Sequence, residues 1–188
     1  GGNGKRIFNT RFNTYDFKGG IKFHKNTISS ELRYNINHSK LGMPEGIEEQ
    51  SVSKRIISPN QEVEHHSASF TQKIAGYHYS FESILGFNAN NRKEFHDEEE
   101  HHEDENEEHH KAALQMKLNT YSYDLKLKFS NNDRFENVIG LQGLYQTNKN
   151  FGEELLIPNA VVKDIGAFVM AHYHHETSDW QMGIRYDR

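Results

Sequence analysis

Cysteine is missing altogether from these 188 residues, which removes disulfide frameworks, thiol nucleophiles and cysteine-ligated zinc. Long apolar runs are missing as well. No stretch approaches the roughly 18 to 20 consecutive apolar residues of a membrane-spanning helix, so helical spans are excluded. The opening "GGNGKRIFNT" lacks the basic, apolar, then small pattern of a secretory signal, and if the parent protein is exported this chain is expected to be an internal piece of it. Helical spacing of apolar residues is nowhere sustained. There is no nucleotide-phosphate loop, Ser-centred nucleophile elbow or deaminase motif. Inside the one acidic run carboxylates are paired, but nothing there holds them at the fixed separation that acid-base work requires. The chain is therefore read as a non-enzyme.

Charge is unevenly spread. The formal net charge is −5, yet Glu94 to His110 alone holds ten carboxylates and no Lys or Arg. The remainder is thus basic by about +5, too weak and scattered for a nucleic-acid-binding face. At this length, one domain or part of one is expected.

Outside the acidic run, apolar residues recur at every second position, the period of a strand with two unlike faces. Tyr15, Phe17, Ile21 and Phe23 alternate with Thr14, Asp16, Lys18, Lys22 and His24. Ile28, Leu32, Tyr34 and Ile36 follow after "KNT", which makes a hairpin. Phe70 and Ile74 mark a third strand, and Phe81, Leu85 and Phe87 a fourth. Tyr121 to Phe129 and Phe135 to Tyr145 mark the next two, and Ile165 to Tyr173 and Trp180 to Tyr186 the last pair. Short turns fall near residues 26, 78, 132 and 178; long loops fall at roughly 40 to 63, 96 to 112 and 148 to 163. The expected fold class is all-β: an antiparallel transmembrane β-barrel segment of about eight long strands, trimmed at one end and elaborate at the other. A soluble antiparallel sheet or sandwich is the alternative, since its strands also alternate.

"NTRFNTYDFKGGIKF" (Asn9 to Phe23), "SSELRYNINHSKLGMPEG" (Ser29 to Gly46) and "TNKNFGEELLIPNAVVKDIGAFVMAHYH" (Thr147 to His174) resemble the barrel of TonB-dependent outer-membrane receptors. The nearest group resembles those for zinc uptake that have a His-rich extracellular loop; "NFGEELLIP" (Asn150 to Pro158) is the most specific part. That family builds about twenty-two strands around an amino-terminal plug. The resemblance implies that residues 1–188 are part of one barrel domain, with plug and closing strands absent. It also implies a bacterial outer-membrane location, contact with outer-membrane lipid, and a TonB energy-coupling protein acting through parts outside this chain. An open, curved sheet with two unpaired edges is expected of such a slice. Short turns would face the periplasm, and the acidic loop at 96–112 the exterior.

That loop, "HDEEEHHEDENEEHH", holds five imidazoles: His96, His101, His102, His109 and His110. Asp97, Glu100 and Glu103 stand beside them. Imidazole suits zinc, copper and nickel, and a tetrahedral zinc site needs only about four ligands. The spacing is not that of a metalloprotease helix, whose histidines lie four apart. A flexible loop that wraps an ion gives up roughly 1 to 2 kcal/mol of conformational entropy per residue fixed, so capture of moderate strength with fast exchange is expected. The carboxylates concentrate cations by a potential that salt weakens; a purely solvated acidic run is the other reading.

Further candidate ligands are His172 and His174, two apart and so on one face of the seventh strand, and His65 and His66, where the first long loop is expected to rejoin its strand. Three functions stay open: a receptor importing zinc or a similar divalent cation, a surface barrel that only sequesters metal, and a receptor for a siderophore, haem or other chelate. No resident cofactor is required by any of them.

Overall fold

Residues 6–44, 50–51, 54–96, 112–132, 134–152 and 157–188 are described by the structure, a computed structural model. Two residues of β1 (Arg6–Ile7) pair with two of β4 (Gln50–Ser51). The remaining strands are β2 (Phe12–Lys25), β3 (Ile28–Gly42), β5 (Asn60–Ala75) and β6 (Tyr79–Phe95), then β7 (Leu114–Asn132), β8 (Phe135–Asn150), β9 (Ala160–His175) and β10 (Ser178–Asp187). They form one antiparallel sheet of eight strands in the order β10-β9-β8-β7-β6-β5-β3-β2. Each strand thus pairs with its neighbour in the chain, and β2 and β10 lie at the edges. The sheet is not closed into a barrel. Among the described residues there is no helix.

Local chemistry explains the short turns. Lys25 pairs with Ile28 across the two residues Asn26 and Thr27, and Asn26 takes a positive φ of 52°, a left-handed conformation that Asn tolerates better than most residues. Across the last turn, His175 pairs with Ser178. The strands run further toward the long connections than hydrophobic alternation suggests. The third long strand begins at Asn60, a few residues before the loop end expected near 63; Gln61 to Ser67 have no apolar periodicity yet stay in register with both β3 and β6. Ladder pairing requires only backbone groups, so polar residues extend a strand without leaving a sequence signal.

Register aligns the two faces across the sheet. Ile28, Ile74, Phe81, Leu127, Ile139, Val169 and Ile184 form one continuous apolar row across seven strands. Two positions up the same face, Leu32, Phe70, Leu85 and Tyr123 form another. Aromatic rings border this band on both sides. Toward the long connections, Phe87 and Tyr121 stand 5.0 Å apart and Tyr121 and Tyr145 6.5 Å apart; toward the short turns, Phe135 and Tyr173 stand 4.5 Å apart. The band is interrupted at Ser30, whose hydroxyl donates to the Gln72 amide oxygen at 2.7 Å.

Neither face is covered. Among the described residues only Leu114 and Val138 are buried apolar side chains, while Ile21 is 74% and Met182 78% exposed. The second sheet that a sandwich core needs is absent among these residues. The opposite face is polar: Lys73 pairs with Glu82 at 2.8 Å and Lys126 with Asp124 at 2.8 Å. A hollow of about 730 Å³ lies on it, where Gly20, Ser67, Ser69 and Gly86 leave room beside Arg33 and Asn35.

At the long-connection end the chain is tied by one side chain. Asn9 is 6% exposed and has a positive φ of 52°. Its amide nitrogen donates to the carbonyls of Pro59 at 2.7 Å, Ile57 at 3.0 Å and Met43 at 3.2 Å, and its oxygen accepts from Ile57 N–H at 3.2 Å. A Cβ on Gly42 would come within 2.2 Å of that oxygen, so the glycine makes room for the knot.

Candidate metal centre

Two histidines two apart on a strand project to one side, and β9 places His172 and His174 on the polar face. The two-residue turn Glu176–Thr177 then sets the register of β10, bringing Asp179 directly opposite His174. The His174 Nδ1 lies 2.7 Å from Asp179 Oδ1, and His172 Nε2 lies 3.9 Å from the same oxygen. The two imidazole rings are 3.9 Å apart, centre to centre. One ligand atom from each of the three residues falls within 4.8 Å of the others. Glu136 on β8 stands opposite His172, so a second carboxylate shares the face, paired with Lys128 Nζ at 2.6 Å. Gln181, opposite His172 on β10, directs its amide to the Met170 sulfur at 2.7 Å.

These distances suit a small cation. Zinc bonds to nitrogen and oxygen of about 2.0–2.2 Å place tetrahedral ligand atoms roughly 3.3–3.6 Å apart. To reach that range the His174–Asp179 separation would widen by roughly 0.6 Å, which replaces their hydrogen bond, and the His172–Asp179 separation would shorten by roughly 0.3 Å. His172 and His174 are half-buried and Asp179 is exposed, which leaves open positions for water or a fourth ligand.

Elsewhere the expected ligands are separated. His65 and His66 lie inside β5, five and six residues past its start, and not at the loop junction where they were expected. Being adjacent in a strand, they face opposite ways. His65 lies on the polar face between Asn37 and Asn90. His66 lies on the other face above the aromatic border, where Nδ1 is 2.6 Å from the Tyr34 hydroxyl and Nε2 is 2.5 Å from Glu64 Oε1. That hydrogen bond from His66 holds the Glu64 carboxyl below the ordinary carboxylate range, outweighing the desolvation that would raise it. With both ring nitrogens engaged, His66 is a structural polar residue. His96 is exposed immediately after β6. Asp97, Glu100, His101, His102, Glu103, His109 and His110 lie outside the described residues.

No family model, curated protein or solved structure matches this chain. The functional reading therefore rests on the residues and their geometry.

Asp179 is the candidate ligand that sequence reasoning missed. Placing the last turn near residue 178 makes the carboxylate a turn residue, whereas the turn is Glu176–Thr177 and Asp179 is already paired. A signal was available: counting back two residues on either side of a two-residue turn pairs 174 with 179.

Proposed function

We propose that this chain is part of the wall of an outer-membrane β-barrel receptor, of the TonB-dependent kind, that imports a divalent metal ion, zinc in the first place. The observation that bears most weight is the uncovered apolar band. On β6 it runs from Tyr79 to Phe87 and on β7 from Tyr121 to Phe129, close to the roughly 9 to 11 residues with which a tilted strand crosses a bilayer. Aromatic borders on both sides fit the two interfaces of a membrane. Lipid hydrocarbon is a solvent that leaves such a face stable without a protein core. The polar, hollowed face opposite would then look into a water-filled lumen, and additional strands would pair with β2 and β10 to close the wall.

The metal assignment draws on two features at opposite ends of the sheet. The loop after Phe95 is rich in imidazole and carboxylate, which would attract and capture cations at the exterior. The His172, His174 and Asp179 cluster offers the same donor types at the short turns. Other parts of the parent protein would supply the plug and the contact with the energy-coupling protein.

Metal accumulation by cells expressing the full-length protein provides the test. With radiolabelled zinc supplied at limiting concentration, replacing His96, His101, His102, His109 and His110 by alanine should reduce accumulation severalfold, and excess zinc should narrow the difference. Unchanged zinc accumulation in that variant, together with uptake of a siderophore or haem by the unmodified protein, would transfer the assignment to a chelate receptor.

A further inference from the structure

We infer that His172, His174 and Asp179 form a second, preorganised binding site for a divalent transition-metal ion at the short-turn end of the polar face, separate from the acidic loop. The acidic loop must give up chain entropy to gather its ligands. The β9–β10 hairpin has already met that cost, because backbone pairing fixes all three ligand-bearing positions. Both histidines come from one strand at i and i+2, and the carboxylate comes from directly across the ladder. His174 Nδ1 and His172 Nε2 converge on a single oxygen of Asp179, at 2.7 and 3.9 Å. Two imidazoles and a carboxylate favour zinc, cobalt, nickel or copper over magnesium or calcium, which prefer oxygen donors alone. Glu136, on the same face opposite His172 but paired with Lys128, could supply a fourth ligand only by leaving that ion pair; water would serve otherwise.

The position gives the site a role that rests on the import reading. His96 follows the end of β6 at the long connections, whereas His172, His174 and Asp179 flank the last short turn. An ion captured outside would meet this centre at the far end of the wall, immediately before release. Binding itself does not depend on the direction of transport.

Cobalt(II) is a suitable probe, since it takes zinc-type ligands and reports them in its visible spectrum. The full-length protein, solubilised in detergent and with the five loop histidines replaced by alanine, is titrated with cobalt and compared with the same protein bearing H172Q and H174Q. The double glutamine variant should bind one cobalt fewer per chain, or bind that equivalent at least about tenfold more weakly. Loss of even an outer-shell partner typically costs about 10- to 100-fold, and a direct ligand should cost no less. D179N should weaken the same equivalent while retaining the β-sheet circular dichroism, so the outcome does not depend on a double substitution folding well. Zinc should displace the cobalt. Equal stoichiometry and affinity in all three proteins would overturn the centre, whatever zinc accumulation shows. Loss of the equivalent alongside unaltered zinc accumulation would keep the centre and dismiss its role in import.

Discussion

At the scale of single residues, polar side chains do the organising where no apolar core exists. Asn9 ties three carbonyls and one N–H from segments far apart in sequence, so its loss removes part-buried bonds to Met43 and Ile57 and leaves Pro59 O only its bond from Met43 N–H. Removing one side of a buried hydrogen bond costs about 1–3 kcal/mol. Asn9→Ala should therefore lower unfolding stability by about that amount, read as a reduced urea midpoint with an unchanged slope in detergent micelles. Nothing in the local sequence around Asn9 announces this. Its partners at Met43, Ile57 and Pro59 arrive only when β3 and β5 come together.

At the scale of elements, the strands are set by the pairing of unlike faces. Ile139 is the fifth residue of β8 and belongs to the apolar row from Ile28 to Ile184, on the short-turn side of the band. Arginine there would meet hydrocarbon, at a cost that grows toward roughly 2–4 kcal/mol at a bilayer midplane. We expect Ile139→Arg to reduce the yield of membrane-inserted, protease-resistant protein sharply. Gln146→Arg, on the polar face of the same strand, should insert like the unmodified protein. Similar losses from both would show that the two faces do not meet different solvents. The alternation that makes this contrast was legible in sequence, while the polar start of β5 at Asn60 was not, because a strand held by backbone pairing needs no periodic side chains.

At the scale of the molecule, the trimmed and elaborate ends should lie on opposite sides of a membrane. The chain has no cysteine, so any introduced thiol within it is unique there. Tyr77, 94% exposed in the turn between β5 and β6, marks one end, and Ile157, 50% exposed between β8 and β9, marks the other. On intact cells a membrane-impermeant maleimide should label Ile157→Cys in the full-length protein, and Tyr77→Cys only after permeabilisation. Labelling of both on intact cells would rule out a chain that spans the membrane in this orientation.

The sequence by itself determined the all-β class, the eight long strands, the approximate places of the short turns and the division into apolar and polar faces. All of these follow from the two-residue period of side chains along a strand and from the local preferences of turn residues. It also identified His172 and His174 as neighbours on one face. Only the tertiary structure decided the exact strand ends, that His65 and His66 point apart within β5, and that Asp179 joins the two histidines. The physical reason is register. Which residues face one another across a ladder depends on the length of each connection to within a single residue, and a shift of one turns every side chain to the other face.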